Sequence, residues 1–146
     1  MNLDQHQDFS KIDQSNMLQE IIELPEQLQK AWELGQGFPL SDYSSIRQIV
    51  VAGMGGSAIG ASLVKAYTAP LLNIPLEVHR DYLLPAWAAG PETLVVASSH
   101  SGNTEETRSA FDTARGNGCR LLVITTGGAL AEKSQEANCD LWQFEH

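Results

Sequence analysis

Basic side chains are scarce in this sequence. The 146 residues include nine Lys and Arg against eighteen Asp and Glu, which gives a formal net charge of −9 at pH 7. Proteins that hold a nucleic-acid backbone or an anionic membrane surface need a basic footprint, so this balance predicts no nucleic-acid partner and no membrane partner. An anionic small molecule would need a local site whose donors overcome the repulsive field of the whole protein.

Long apolar runs and metal-binding spacings are also missing. No stretch approaches the roughly 18 apolar residues of a spanning helix, and the first six residues lack the pattern of a signal peptide. The two cysteines, Cys119 and Cys139, form no CxxC motif and the four histidines are scattered, so we predict no metal site and no cofactor. We expect a cytoplasmic protein with two buried free thiols rather than a disulfide.

The composition is that of a globular protein. Hydrophobic residues make up 42% of the chain and charged residues 18%, which is too apolar for a disordered chain. A chain of this length hides enough surface on folding to build a core. We predict an N-terminal helical extension over residues 1–40 and a main domain over residues 41–146.

Apolar residues recur at helical spacing between residues 14 and 34. Because proline is costly inside a helix, Pro25 predicts two helices, one that ends near Glu23 and one that runs from Pro25 to Gly35. Each helix is expected to lay one apolar face on the body of the domain. The polar residues 1–13 are expected to be mobile.

Strand-like and helix-like segments alternate through the rest of the chain. The predicted strands span residues 46–52, 75–80, 93–98, 120–125 and 140–144, and the predicted helices span 57–69, 103–115 and 129–137. The first, third and fourth strands are nearly continuous runs of Val, Ile and Leu, which is typical of strands covered on both faces. This alternation predicts an α/β fold, with a doubly wound, five-stranded, mainly parallel sheet flanked by helices.

A glycine-rich loop follows the first predicted strand. It reads Gly-Met-Gly-Gly-Ser-Ala-Ile-Gly from Gly53 to Gly60, and its glycines let the backbone approach a ligand closely. Ser57 is expected near the start of the next helix, where free N–H groups and the helix dipole favour an anion. Taken alone, the loop is explained equally well by a turn that packs the helix against the sheet.

Named motifs fit this loop only in part. It satisfies G-x-G-x-x-[G/A], with Glu77 or Asp81 about twenty residues further on, so a nicotinamide-dependent dehydrogenase is one alternative. A P-loop would need a lysine where Ala61 stands. A nucleophile elbow would need a glycine where Ile59 stands.

Hydroxyl side chains crowd the loop after the third predicted strand. Ser99, Ser101 and Thr104 surround Gly102 and Asn103 just before a predicted helix, although a helix N-cap needs only one such residue. Hydroxyls and backbone N–H groups at a helix start form a phosphate cradle that needs no Lys or Arg. Such a cradle suits a protein with this net charge, and it leaves the dehydrogenase alternative without an explanation for the second loop.

A third loop, from Thr125 to Gly128, follows the fourth predicted strand. We expect it either to form a turn only or to contact the sugar part of a ligand. Because ligands bind outside the carboxyl ends of parallel strands, we expect the three loops to lie at one edge of the sheet.

The two serine loops together resemble the sugar isomerase (SIS) domain, and most closely the N-terminal half of the bifunctional phosphoglucose/phosphomannose isomerase family. The resemblance runs from about Leu24 to the C-terminus and rests on residues 50–60, 79–85, 99–107 and 126–128. It implies a flavodoxin-like fold and a homodimer. It also implies an aldose–ketose isomerase that interconverts glucose 6-phosphate or mannose 6-phosphate with fructose 6-phosphate.

The resemblance implies a phosphate site between the two serine loops. The residues to which it assigns phosphate contacts are Gly56, Ser57, Ser99, Ser101 and Thr104. Those that it places in supporting positions are Gly55, Arg80, His100, Gly102 and Asn103. Arg80 matches an arginine of the family, with a surface role as the alternative. His100 stands where the family commonly has tyrosine, and either points toward the sugar or faces solvent.

The resemblance also implies that part of the enzyme lies elsewhere. Members of this family carry two SIS domains in a longer chain, and their glutamate base and assisting histidine and lysine belong to the second half. No catalytic residue therefore maps onto this segment, which we expect to anchor the phosphate without turnover. The alternative is a stand-alone SIS module that senses a phosphosugar without catalysis.

Overall fold

The computed structural model describes Phe9 and residues 12–145, and the chain divides into two compact units between Pro39 and Leu40. Most of the segment that we expected to be mobile, residues 1–8, 10 and 11, lies outside the described residues.

The first unit is built on one helix, α1 (Met17–Gly37). The Asp13 carboxylate accepts hydrogen bonds from the first two amides of this helix, Met17 N at 2.7 Å and Leu18 N at 2.8 Å. The predicted break at Pro25 is wrong, because α1 continues through this proline, whose fixed φ of about −65° lies in the helical range. Every residue of α1 is exposed or half-buried, and the packing of an apolar face of this helix on the domain stays a prediction.

The second unit is an α/β domain with alternating strands and helices. Its elements are β1 (Gln48–Ala52), α2 (Gly55–Thr68), β2 (Leu76–His79), β3 (Thr93–Ser98), α3 (Glu105–Gly116), β4 (Arg120–Thr125), α4 (Gly128–Ala137) and β5 (Asp140–Gln143). The sheet order is β2-β1-β3-β4-β5 and every pairing is parallel, which confirms the predicted doubly wound sheet. The order is that of flavodoxin-like folds.

Element boundaries of the α/β domain differ from the predictions by at most two residues. The helix after β1 begins at Gly55, two residues earlier than expected, because the Ala58 amide already bonds to the Met54 carbonyl and so starts the helical hydrogen bonds there. The helix after β3 begins at Glu105, two residues later than expected, because Asn103 and Thr104 complete the preceding loop.

Two apolar clusters hold the sheet on its opposite faces. One contains Val50, Val95 and Val123 of the strands together with Phe111 of α3 and Leu130 of α4, all fully buried. The other cluster is centred on Ile46, Leu94 and Val96. Burial of this kind contributes roughly 25 cal/mol per Å² of apolar surface.

The two cysteines pack against the first of these clusters and are free thiols, as expected, although they are half-buried rather than buried. Burial raises the pKa of both the Cys119 and the Cys139 thiol. Raised thiol pKa values favour the unreactive neutral form, so both cysteines fill space rather than act as nucleophiles.

The strand order creates one switch point in the sheet. The connection after β1 runs to β2 on one side, whereas the connection after β3 runs to β4 on the other side. The crevice between the carboxyl ends of β1 and β3 is the place where ligands bind in open parallel sheets. Both serine loops begin at this crevice.

Candidate functional site

The first loop lies directly against the end of β3. The Gly53 N–H donates to the His79 carbonyl at 3.1 Å, which ties the loop to β2 as well. A side-chain carbon at Gly53 would stand 2.9 Å from the Ser98 carbonyl oxygen, closer than real Cβ contacts. Glycine at this position therefore allows the first and second loops to meet at the switch point.

The first turn of α2 offers free backbone donors at this crevice. Gly55, Gly56 and Ser57 are its first three residues, and the first amide bonded back to the N-cap is Ala58 N, at 3.3 Å from the Met54 carbonyl. The three preceding amides have no acceptor within the helix. The Ser57 side chain is half-buried, and its hydroxyl makes no hydrogen bond within the described part of the chain.

The second loop is closed by a pair of hydroxyls. Ser99 Oγ and Thr104 Oγ1 lie 2.8 Å apart, and Ser99 is only 2% exposed. The Gly102 N–H donates to the Ser99 carbonyl at 3.1 Å, which forms a tight turn. Ser101 is exposed, and its hydroxyl accepts from Asn103 N at 3.2 Å. Thr104 is the N-cap of α3 but bonds to Ser99 instead of capping the helix.

Gly102 brings the second and third loops into contact. It has a φ of 67°, and any side-chain carbon there would overlap the Gly127 carbonyl. Its own carbonyl accepts from Leu130 N at 3.0 Å, and the Asn103 side chain accepts from Ala129 N at 3.1 Å. The start of α4 is therefore capped by the second loop.

The third loop uses its threonines to brace the second. The His100 carbonyl accepts from Thr126 N at 3.0 Å and from the Thr126 hydroxyl at 2.7 Å. The Thr125 hydroxyl donates to the Gly127 carbonyl at 2.9 Å. Of the two roles that the sequence left open for this loop, these contacts support the turn.

The His100 ring is exposed on the outer side of the loop. It stands edge-on to the Phe144 ring, with the centroids 6.0 Å apart. The imidazole therefore has an aromatic neighbour in the residue that follows β5.

Arg80 lies just after β2 and contacts the first turns of α2. Its Nη2 atom donates to Ser62 Oγ at 2.6 Å and to the Ala58 carbonyl at 3.4 Å. The side chain is exposed, so its charge is screened by solvent. These contacts place a cation beside the first turns of α2.

The chain between β2 and β3 passes along the first turns of α3. The Tyr82 hydroxyl donates to Glu105 Oε2 at 3.2 Å, and this bond raises the pKa of the Tyr82 phenol. The Leu83 N–H donates to Ser109 Oγ at 3.1 Å, and Leu83 has a φ of 58°. Sequence reasoning did not identify this contact, because no local pattern links residues so far apart in the chain.

Neutral donors dominate the combined site. Backbone amides of α2, the hydroxyls of both loops and the amides at the start of α3 all come from the carboxyl edge of β1 and β3. The described residues contain no group of three side chains that could hold a metal ion, and none of their helices is long and apolar enough to cross a membrane. The arrangement suits an anion held by hydrogen bonds and two helix N-termini.

A family comparison agrees with this geometry. The model of the SIS domain matches residues 42–140, which is most of the chain and includes both serine loops. The chain belongs to the SIS domain family.

Two curated relatives share the bifunctional phosphoglucose/phosphomannose isomerase name. The one from Caldicellulosiruptor bescii is 43% identical over 126 residues, which covers 86% of this chain and 37% of the relative. The one from Aquifex aeolicus is 40% identical over 103 residues, which covers 70% of this chain and 32% of the relative. This chain therefore spans about a third of the length of these relatives.

Solved structures share the fold at lower identity. The Vibrio vulnificus NanR protein complexed with ManNAc-6P superimposes with a TM-score of 0.62 at 16% identity, over 94% of this chain and 54% of that one. Together with the strand order, this likeness shows the α/β fold of the SIS family.

Proposed function

We propose that this chain is the phosphate-anchoring SIS domain of an aldose–ketose isomerase that interconverts glucose 6-phosphate or mannose 6-phosphate with fructose 6-phosphate. The observation that carries the proposal is the meeting of two hydroxyl-bearing loops at the switch point, where Gly53 contacts the end of β3. The names of the relatives from C. bescii and A. aeolicus supply the substrate class.

We assign the phosphate contacts to groups that can donate a hydrogen bond to the phosphate. The assigned residues are Gly56, Ser57, Ser99, Ser101 and Thr104. The amides at the start of α2 and the exposed Ser101 hydroxyl are accessible to a ligand. Ser99 is buried and paired with Thr104, so these two hydroxyls must turn toward the phosphate when it binds.

Supporting roles fall to residues that shape the loops or add charge. Those residues are Gly55, Arg80, His100, Gly102 and Asn103. Gly55 and Gly102 supply positive φ angles at the two loops. Arg80 adds a positive charge beside α2, and Asn103 fixes the second loop to α4. His100 contributes its backbone carbonyl to the bracing by Thr126.

The chemistry of the reaction limits what this segment does. Isomerisation opens the sugar ring and moves a proton between C1 and C2 through an enediol, which requires a positioned base. No residue assigned here is that base. Because the chain spans about a third of its relatives, we assign it the anchor. Phosphate binding far from C1 and C2 accelerates the reaction only when other groups position those carbons.

We also propose an organisation and a location for the protein. Residues 1–40 form a helical extension, and residues 41–146 form the SIS domain. The exposed apolar side chains of α1, which include Ile21, Leu28 and Trp32, support assembly as a homodimer. The free thiols of Cys119 and Cys139 support a reducing, cytoplasmic location. Sedimentation analysis should give a dimer, and a concentration-independent monomer would exclude this assembly.

Ligand-dependent thermal unfolding tests the anchor. Fructose 6-phosphate, glucose 6-phosphate and mannose 6-phosphate should each raise the Tm of this chain, because a ligand that binds only the folded state stabilises it. NAD should leave the Tm unchanged. Stabilisation by NAD alone would instead favour a dehydrogenase.

A coupled assay tests the reaction. The full-length product of the gene that encodes this chain should convert glucose 6-phosphate and mannose 6-phosphate to fructose 6-phosphate, whereas residues 1–146 alone should not. Binding without turnover by the full-length product would support a phosphosugar-sensing module in place of an enzyme.

A further inference from the structure

A threonine hydroxyl in the first turn of α3 has no partner. Thr107 is 1% exposed, and its Oγ1 atom is buried without a hydrogen bond to any described residue. An unsatisfied buried hydroxyl costs about 1–3 kcal/mol, and such groups are rare in native structures. A threonine retained under this penalty requires an explanation beyond packing, because valine has the same shape without the penalty.

The usual explanation for a helical threonine does not apply here. The hydroxyls that donate to the backbone carbonyl four residues back, at distances of 2.8 to 3.0 Å, are Ser62, Thr68 and Thr113. For Thr107 the corresponding carbonyl belongs to Asn103, which lies in the loop before the N-cap rather than in the helix. Thr107 therefore holds an unused donor beside the second loop.

Two other hydroxyls belong to the same end of α3. Thr104 is the N-cap of this helix, and Thr107 is its third residue. Thr104 is in turn bonded to Ser99 at 2.8 Å. We call Ser99, Thr104 and Thr107 the hydroxyl cluster; of these three, only Thr107 has no partner among the described residues.

Counting the hydrogens shows what happens to this cluster when an anion binds. A hydroxyl has one hydrogen to donate and two lone pairs that accept. In the present structure, Ser99 and Thr104 share one of their two hydrogens between them. When both hydroxyls donate to a phosphate, neither hydrogen is left for the pair, and the oxygen that accepts within the pair loses its donor. Thr107 has the unused donor that fills this need.

We propose that Thr107 is a positioning residue for the phosphate site, whose hydroxyl donates to the Ser99–Thr104 pair when a sugar phosphate binds. This inference rests on the proposed function. A chain of hydroxyls that runs from Thr107 through Thr104 to the phosphate polarises each bond in turn and strengthens the contact to the anion. The unsatisfied hydroxyl of the unliganded protein is thus satisfied in the complex.

Calorimetric titration with fructose 6-phosphate and with inorganic phosphate tests the proposal. Thr107→Val removes the hydroxyl and keeps the shape, and it should weaken binding of both probes about three- to tenfold, the value of one typical hydrogen bond. The Tm of the unliganded protein should stay unchanged or rise. Thr107→Ser keeps the donor and should restore the wild-type affinity.

Thr113→Val is the matched control in the same helix. Its hydroxyl already bonds to the Ser109 carbonyl, so its loss should lower the Tm without changing either dissociation constant. Wild-type affinity in Thr107→Val would overturn the inference and leave the proposed function intact. A wild-type protein that binds neither probe would overturn both.

Discussion

The hydroxyls of Ser99 and Thr104 lie 2.8 Å apart and close the loop between β3 and α3. Ser99 is 2% exposed, whereas Ser101, two residues later, is exposed to solvent. The two serines of the same motif therefore have different roles in the unliganded protein. Ser99 stabilises the loop, and Ser101 presents a hydroxyl to the crevice edge.

This difference predicts opposite effects of two alanine substitutions. Ser99→Ala leaves the half-buried Thr104 hydroxyl without its partner and should lower the free energy of unfolding by about 1–2 kcal/mol. Ser101→Ala should leave stability within about 0.5 kcal/mol of wild type. The same variant should weaken sugar-phosphate binding by about 1–3 kcal/mol, because it removes a hydrogen bond to a charged group.

Urea unfolding and calorimetry with fructose 6-phosphate measure the two effects separately. Ser45→Ala is a suitable control, because Ser45 is exposed and precedes β1 at the opposite edge of the sheet. It should change neither quantity. Unchanged affinity in Ser101→Ala would remove Ser101 from the site.

Because Gly102 and Gly127 are in close contact, replacing Gly102 by alanine should lower the free energy of unfolding strongly. At Gly102 the φ is 67°, and an added Cβ would overlap the Gly127 carbonyl. At Gly118 the φ is 71°, but the space around an added Cβ is open. Gly118→Ala should therefore cost only the backbone strain, about 1–2 kcal/mol. Gly102→Ala should cost more than Gly118→Ala, because the third loop must also move.

Urea unfolding of both variants checks this difference, with the midpoint read by circular dichroism. If Gly102→Ala proves insoluble while Gly118→Ala folds, the ordering stands. Equal midpoints for the two variants would show that the second and third loops are not in the contact described here.

The strands and the switch point were predictable from sequence, because their signals are local. Runs of Val, Ile and Leu bounded by glycine-rich turns fix β1, β3 and β4, and the order of elements then fixes the carboxyl edge. The continuity of α1 through Pro25 was not predictable in the same way, because a proline inside a helix can either kink the helix or end it, and the local sequence does not decide between the two.

The site was predictable in its residue types but not in its contacts. Serine, threonine and glycine at two strand ends indicate an anion cradle, yet no local pattern indicates that Thr104 bonds to the buried Ser99 instead of capping α3. The bracing by Thr126 and Gly127 joins segments that are distant in the chain. Thr107 looks like an ordinary core position, because its buried hydroxyl is recognised only once its surroundings are known.

We expect the charge of Arg80 to contribute to sugar-phosphate binding in a salt-dependent way. Its guanidinium is held by Ser62 and the Ala58 carbonyl, one residue beyond Ser57. Arg80→Ala should weaken fructose 6-phosphate binding about threefold at low salt. The difference should fade by about 0.5 M salt, where the screening length is shorter than the distance between the charges. Arg80→Lys should retain most of the affinity, because the present contacts use a single nitrogen.

Titrations at two salt concentrations decide between the two roles of Arg80. A loss of affinity that is the same at both concentrations would indicate a direct phosphate contact rather than attraction at a distance. No loss at either concentration would assign Arg80 to the surface of α2 alone.

The lowered pKa of the Asp140 carboxyl predicts how the stability of the protein depends on pH. Burial alone would raise the pKa of this carboxyl, but hydrogen bonds from the Tyr43 hydroxyl at 2.6 Å and from Ser41 N at 2.7 Å outweigh burial and lower the pKa. A carboxyl whose pKa is lower in the folded state stabilises the protein above its unfolded pKa of about 3.9. That stabilisation is lost as the pH falls through the folded pKa.

Asp140→Asn should therefore lower the free energy of unfolding at pH 7 by about 1 kcal/mol, a small value because solvent partly screens the site. As the pH falls below about 4 the gap between the variant and the wild type should shrink, and it should close once the pH is below the lowered folded pKa, because the wild-type carboxyl is then protonated as well. Asp112→Asn is the control, since the Asp112 side chain is exposed and its ion pair with Lys133 should contribute less than about 0.5 kcal/mol. Urea unfolding of all three proteins between pH 2.5 and pH 7, in steps of about half a unit, measures the difference. A gap between Asp140→Asn and wild type that stays constant down to the lowest pH would show that the carboxylate charge is not what ties Ser41 and Tyr43 to β5.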